Sequence, residues 1–128
     1  MNLKELTTKL EKTEARRACS LEKSGAGSWD WNIENNTLFL DDTALEIYGL
    51  NKSSFDGTSS MWRGLVVKED LDLVDSQVKK CILKDSPYLL EFRINTSTGV
   101  RKISSFGHCV RNEEGKAVRL TGLSFLID

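Results

Sequence analysis

The side chains able to do covalent or acid–base chemistry are few, and their spacing limits what they can do. The one histidine, His108, follows Ser104 and Ser105, which are the residue types of a serine hydrolase. Residues four apart on one strand stand roughly 13 Å apart at ~3.3 Å per residue, out of range for proton transfer. A small hydrolase around His108 therefore lacks its relay, and His108 reads as a surface or interface group. The acidic pairs Asp41-Asp42 and Glu113-Glu114 fall at a helix cap and in a turn, where carboxylates serve the backbone or face solvent. Cys19, Cys81 and Cys109 form no CxxC pair, so neither a zinc site nor a c-type haem attachment is expected. Cys81 and Cys109 read as buried, unreactive thiols, and the odd count fits a reducing compartment. Gly25-x-Gly27 leads into a strand, without the helix dipole that a phosphate loop needs. These residues predict no enzyme and no metal.

Composition narrows the classes further. The chain has 128 residues, 39% hydrophobic and 29% charged, with 18 basic against 19 acidic side chains. That length suits one domain with a core of its own. The balanced charge argues against nucleic acid as a partner, since such modules carry a basic surplus. No apolar run reaches the ~18–20 residues of a membrane span, and Met1-Asn2-Leu3-Lys4-Glu5 opens no secretory signal. The expectation is a cytoplasmic domain without membrane contact.

The elements that would position these residues follow from periodicity. Residues 3–23 predict a helix with Leu3, Leu6 and Leu10 on one stripe, too polar to be stable alone, so it must lean on its own sheet or on a second copy. From Gly27 the period becomes two. Trp29, Trp31 and Ile33 alternate with polar residues, Glu34-Asn35-Asn36 turns the chain, and residues 37–40 return as a strand. Asp41-Asp42 caps a short helix ended by Gly49, and residues 50–66 predict loop with short helical turns. Glu69 and Asp70 stand in the first turn of a longer helix with Leu71, Val74, Val78 and Cys81 or Ile82 as its apolar stripe, stopped at Asp85-Ser86-Pro87. Three strands follow at 88–95, 100–111 and 116–127. The last is apolar on both faces and so needs cover on both. This order predicts an α+β domain: a five-stranded antiparallel sheet with helices on one face and an amino-terminal flanking helix.

Five fragments in this order resemble the PAS family of sensory domains, in the subgroup with a tryptophan-rich first strand and a PAC-type carboxy-terminal motif. Gly25-Ala-Gly-Ser-Trp29-Asp-Trp31 resembles the opening strand, and Asp41-Asp42-Thr-Ala44-Leu-Glu-Ile47-Tyr48-Gly49-Leu50 the first short helix. Trp62 to Asp70 is similar to the Trp-to-His-Pro-Glu-Asp segment, with Val67-Lys68 in place of His-Pro. Glu91-Phe92-Arg93-Ile94 and Asn112-Glu113-Glu114-Gly115-Lys116 resemble the carboxy-terminal hairpin. The chain closes Leu126-Ile127-Asp128 where the family usually has Asp-Ile-Thr. The resemblance divides the chain into a flanking dimerisation helix, 1–24, and a PAS domain, 25–128.

The resemblance implies a ligand pocket between the inner sheet face and the long helix. Tyr88, Leu90, Phe92 and Ile94 would come from one strand, Ile103, Ser105, Gly107 and Cys109 from its neighbour, and Val74 and Val78 from the helix. The small residues of the second strand either leave a cavity or let the helix approach closely. The reactive-cysteine run of flavin photosensors and the helix histidine of haem-binding members are both missing. The cofactor is therefore unknown, with a small metabolite or non-covalent flavin left open, and Trp29 and Trp31 read as sheet core. By resemblance the parent is a bacterial sensor histidine kinase or GGDEF diguanylate cyclase of a two-component or related system. The domain would be a homodimeric sensor passing a signal to a carboxy-terminal effector domain. The alternative is a ligand-free protein–protein interaction module.

Overall fold

The computed structural model describes residues 25–127. The predicted flanking helix with Leu3, Leu6 and Leu10, as well as Cys19 and Asp128, lies outside the described residues. The strands are β1 (Gly27–Asn32), β2 (Thr37–Leu40), β3 (Tyr88–Thr96), β4 (Gly99–Arg111) and β5 (Ala117–Ile127). They form one antiparallel sheet in the order β2-β1-β5-β4-β3. Between β2 and β3 run the helices α1 (Asp42–Ile47), α2 (Ser59–Arg63) and α3 (Leu71–Lys84), the last entered through a 3-10 turn at Lys68–Asp70.

The alternation read from sequence is realised along β3, where Tyr88, Leu90, Phe92 and Ile94 are buried and the residues between them exposed. Each such burial contributes about 1.5–3 kcal/mol. Together with Ile103, Leu120, Val74, Cys81, Ala44, Leu45 and Ile47 they form the core between sheet and helices. Two strands can approach closely at the Gly107–Gly122 pair of β4 and β5. A Cβ on Gly122 would strike the Phe106 carbonyl oxygen, and one on Gly107 would strike the Thr121 carbonyl oxygen and lie 2.9 Å from the Trp29 ring. Gly107 thus gives the Trp29 ring a flat surface to lie on, and Gly122 lets the two strands close.

The helix ends are tied down by side chains. Asp41 accepts a hydrogen bond from the Ala44 N–H at 2.8 Å and caps α1 as expected. Asp85 ends α3 in the left-handed region at φ 54°. Glu69 and Asp70 differ from the sequence reading, because they occupy the 3-10 turn ahead of α3. The Asp70 carboxylate accepts hydrogen bonds from the Arg93 backbone N–H at 2.8 Å and from the Arg93 guanidinium at 2.9 and 3.1 Å. It serves as a strap from α3 to β3, and the bidentate guanidinium contact is stronger than a dipole effect. Arg111 of β4 performs the matching task at the other end of α3. It donates to the carbonyls of Cys81 and Ile82 at 2.9 and 2.8 Å.

The outer sheet face carries its own apolar strip. Leu89, Phe106 and Leu123 stand in register on β3, β4 and β5. Phe125 stacks on Phe106 with ring centroids 5.8 Å apart. Leu89 is 67% exposed and Phe106 42%. His108 also points outward and is exposed, whereas Ser105 is buried on the inner face. That parity separates the histidine from the one buried serine of its strand.

Candidate ligand-binding site

Between the β1–β2 end of the sheet and the helices α2 and α3 lies a cavity of about 460 Å³. This falls within the ~300–1,000 Å³ typical of ligand pockets. Its sheet wall is Trp29 and Trp31 of β1, Leu38 and Leu40 of β2, Leu120 of β5, Ser105 of β4 and Tyr88 of β3. Its helix wall is Trp62 of α2 and Val74, Val78, Ile82 and Leu83 of α3, with Tyr48 at the end of α1. The exposed Arg63, Asp75, Lys79 and Leu83 mark its mouth. The aromatic rings of the wall brace one another. Trp29 meets Tyr88 edge-to-face at 5.4 Å, and Trp62 meets Tyr48 at 6.0 Å and Phe92 at 5.7 Å. Edge-to-face pairs of this kind add about 0.5–1.5 kcal/mol beyond their burial and hold the wall in shape.

Polar groups in this wall are few and specific. The Tyr48 hydroxyl lies 2.7 Å from the Ser124 hydroxyl, which lies 3.0 Å from that of Ser105. Ser105 donates to the Leu123 carbonyl at 3.2 Å. Burial pushes the Tyr48 phenol up to about 12, against a smaller opposing pull from hydrogen bonds to Ser124, Trp62 and Ser105. Burial likewise raises Tyr88. Both phenols are therefore neutral at physiological pH. The Trp29 indole N–H is buried without a partner among the described residues. At the mouth, Arg63 donates to both Asp75 oxygens, joining α2 to α3, and holds the Asp75 carboxyl below its ordinary value. Nearby, Trp31 donates to the Asn36 side-chain oxygen at 2.8 Å, which also accepts from Ser59. The wall is thus apolar and uncharged inside, with charges only at its opening.

The residues that the sequence marked for a pocket are divided by this geometry. Tyr88, Ser105, Val74 and Val78 line the cavity. Leu90, Phe92, Ile94 and Ile103 are packed into the core, Gly107 lies against Trp29, and Cys109 packs at the core's margin. The small side chains of β4 therefore accommodate the Trp29 ring, while the open space lies toward β1 and β2. Cys81 and Cys109 are free thiols, both raised above the usual range by burial. Trp29, Trp31, Leu38, Leu40, Tyr48, Trp62, Ile82, Leu83 and Leu120 are wall residues that sequence reasoning left out. Alternation placed Trp29 and Trp31 on an apolar face, but it cannot tell a wall from a core.

Comparison with known proteins fits this architecture. A family model described as the PAS fold matches residues 37–124. The probable diguanylate cyclase DgcE of Escherichia coli (strain K12) is 29% identical over 103 residues, covering 80% of this chain and 9% of that protein's length. The chain thus spans less than a tenth of this curated relative. A sensory box histidine kinase/response regulator from Burkholderia thailandensis E264 superposes with a TM-score of 0.75 at 23% identity, over 88% of this chain and 84% of the other. The N-terminal domain of a diguanylate cyclase with PAS/PAC sensor from Marinobacter aquaeolei gives 0.70 at 20% identity, over 79% and 94%. Below 25% identity these likenesses concern the fold. With the family model matching more than half of the chain, and the sheet order and helix placement agreeing with it, this chain belongs to the PAS fold family.

Proposed function

We propose that this domain is a non-catalytic, cytoplasmic sensory module of a larger signalling protein, one that binds a small ligand and controls a histidine kinase or diguanylate cyclase effector. The observation that carries this reading is the aromatic-walled cavity between sheet and helices, which is apolar within and open between α2 and α3. Among the described residues no helix is long and apolar enough to cross a membrane. The relatives named above are signalling proteins, and DgcE extends far beyond the matched region. A ligand that favours one curvature of the sheet would shift the population of arrangements at the outer face, to the extent of its differential affinity for the two states. The segment carrying Leu3, Leu6 and Leu10 would pass that shift on through a homodimer.

The test is an absorbance spectrum and a denaturing mass spectrum of the purified protein, followed by thermal shift across a metabolite panel. A co-purifying small molecule or a saturable rise in Tm supports the sensor. Colourless, ligand-free protein with no shift supports a second reading, a ligand-free interaction module. That reading is favoured by the outer apolar strip, in which Leu89 and Phe106 are exposed and Leu123 and Phe125 half-buried. Deletion of residues 1–22, read by sedimentation, tests the dimer. Unchanged self-association would exclude the segment with Leu3, Leu6 and Leu10 as the contact.

A further inference from the structure

The short helix α2 crosses the cavity and is fastened at both ends. β2 and β3 are the two edges of the sheet. The Gly57 carbonyl accepts from the Leu38 N–H of β2 at 2.7 Å, and Thr58 bridges Thr37 beside it. At the far side the Leu65 carbonyl accepts from the Asn95 N–H of β3, also at 2.7 Å. Residues 59–64 therefore run from one edge of the sheet to the other, four strand spacings or about 19 Å. None of the five residues of α2 is buried. Two side-chain ties hold the helix sideways. At its start the Ser59 hydroxyl donates to the Asn36 side-chain oxygen at 2.5 Å, on the turn between β1 and β2. At its end the Arg63 guanidinium donates to both Asp75 oxygens at 3.0 and 2.5 Å, across the cavity mouth to α3. Both ties lie at the surface, where such bonds are weak enough to break while the core stays packed.

We propose that α2 is a lid on the cavity, with Ser59–Asn36 and Arg63–Asp75 as the two catches that keep it shut. A glycine stands at each anchor, Gly57 and Gly64, and supplies the backbone freedom that a hinge needs. Opening breaks both catches, parts α2 from α3 where Arg63 meets Asp75, and lifts the half-buried Trp62 ring from Tyr48 and Phe92. The pairing of the five strands stays intact. This inference deepens the sensor reading and rests on it for what enters, but the lid itself is tested without a ligand.

The Trp29 indole reports on the lid. Its ring lines the cavity, and its N–H is buried with no hydrogen-bond partner among the described residues. Entry of water, rather than rupture of a bond, therefore sets its exchange with solvent. That exchange is followed by NMR on the whole chain, beside the Ile103 amide of β4, which exchanges when the core itself opens. Low urea should speed Ile103 strongly and Trp29 little, because a lid exposes little surface on opening. Asp75→Ala, Arg63→Met and Ser59→Ala should each speed Trp29 exchange about two- to fivefold, the worth of one exposed ion pair or hydrogen bond. Asp75→Ala combined with Ser59→Ala should multiply the two effects, since the catches lie at opposite ends of α2. Arg119→Met is the control. It removes an ion pair to Asp30 on the outer face, and should speed Ile103 while leaving Trp29 unchanged. Unchanged Trp29 exchange in one lid variant would strike that catch. Unchanged exchange in all three, or Trp29 following Ile103 in urea, would overturn the lid and leave the sensor reading to the metabolite panel. An empty panel beside accelerated Trp29 exchange would overturn the sensor reading alone.

Discussion

Arg111 fastens the carboxy-terminal end of α3 to the sheet, and its removal is the most informative single perturbation of the scaffold. Its guanidinium donates to the Cys81 and Ile82 carbonyls, to the Asp85 carboxylate at 3.1 Å and to the Gly115 carbonyl at 3.0 Å. The two helix carbonyls have no further residue of α3 to satisfy them, so Arg111 caps them as a cation at the negative end of the dipole. The Asp85 partner is 70% exposed and adds little. A partly buried cation at a helix end contributes up to about 2 kcal/mol, and charged hydrogen bonds to carbonyls about 1.5–3 kcal/mol before water replaces them. Arg111→Met should therefore cost about 2–3 kcal/mol. For a chain of this size that is a fall in Tm of roughly 10 °C, read by differential scanning calorimetry. Arg111→Lys keeps the charge but not the planar fork, and should lose about half as much. Because Ile82 and Leu83 line the cavity, Arg111→Met should also reduce the Tm rise given by any ligand found in the metabolite panel. A Tm within about 2 °C of wild type would show that α3 is held by its apolar stripe alone, and would refute the strap.

Gly107→Ala should destabilise by about 1–3 kcal/mol or more through overpacking, since the new methyl meets the Thr121 carbonyl and the Trp29 ring. The check is chemical denaturation together with tryptophan emission, which should shift as Trp29 moves. The hydrogen bonds from Arg93 hold the Asp70 carboxyl below its ordinary value. That stability is fully present above the unfolded carboxylate value of about 3.9 and is lost as pH falls through the lower folded value. Asp70→Asn should flatten the acid limb of the stability curve below about pH 4, in a pH series of urea melts. Val78→Trp, which fills the cavity from the helix side, should abolish the Tm rise given by any ligand found in the metabolite panel without lowering the Tm of the free protein.

Period-two alternation after Gly27 and the capping aspartate at residue 41 were legible because both depend on neighbours in the chain. So were the Val74–Cys81 stripe and the long final strands. The position of the cavity was not, because it depends on where a large ring comes to rest. Small residues on β4 could equally mark a hollow or a seat. Trp29 takes the seat at Gly107, and the hollow moves toward β1 and β2. Ser105 could be placed in the wall from the family resemblance together with parity, but its hydrogen-bond partners could not. Tyr48 and Ser124 are 76 residues apart and meet only through the packing of α1 on the sheet. Nothing in the alternation gives Arg93, Arg101 and Arg111 more than a place on a strand. Their role as straps to Asp70, to the Glu46 and Ile47 carbonyls of α1, and to the end of α3 follows from tertiary geometry.

The two proposed readings share one piece of architecture, and this makes their relation testable. Ser105 in the cavity wall and Phe106 in the outer apolar strip are consecutive residues of β4, facing opposite sides of a single backbone. Both are paired to the same partner strand, Ser105 to Ser124 and Phe106 to Leu123. The Ser105 hydroxyl bonds to the carbonyl of Leu123, whose side chain lies beside Phe106. A change in this bond is therefore applied to the backbone unit that carries the outer strip, with no intervening layer to absorb it. Interiors packed at crystal density have few small continuous adjustments open to them, so such a displacement resolves into discrete arrangements. Under the proposed sensor reading, a ligand that alters the Ser105–Leu123 bond would couple the cavity to the outer face, and one that leaves the bond intact would bind without signalling. Amide exchange at Ser124 and Phe125, measured with and without each ligand found in the metabolite panel, separates the two kinds.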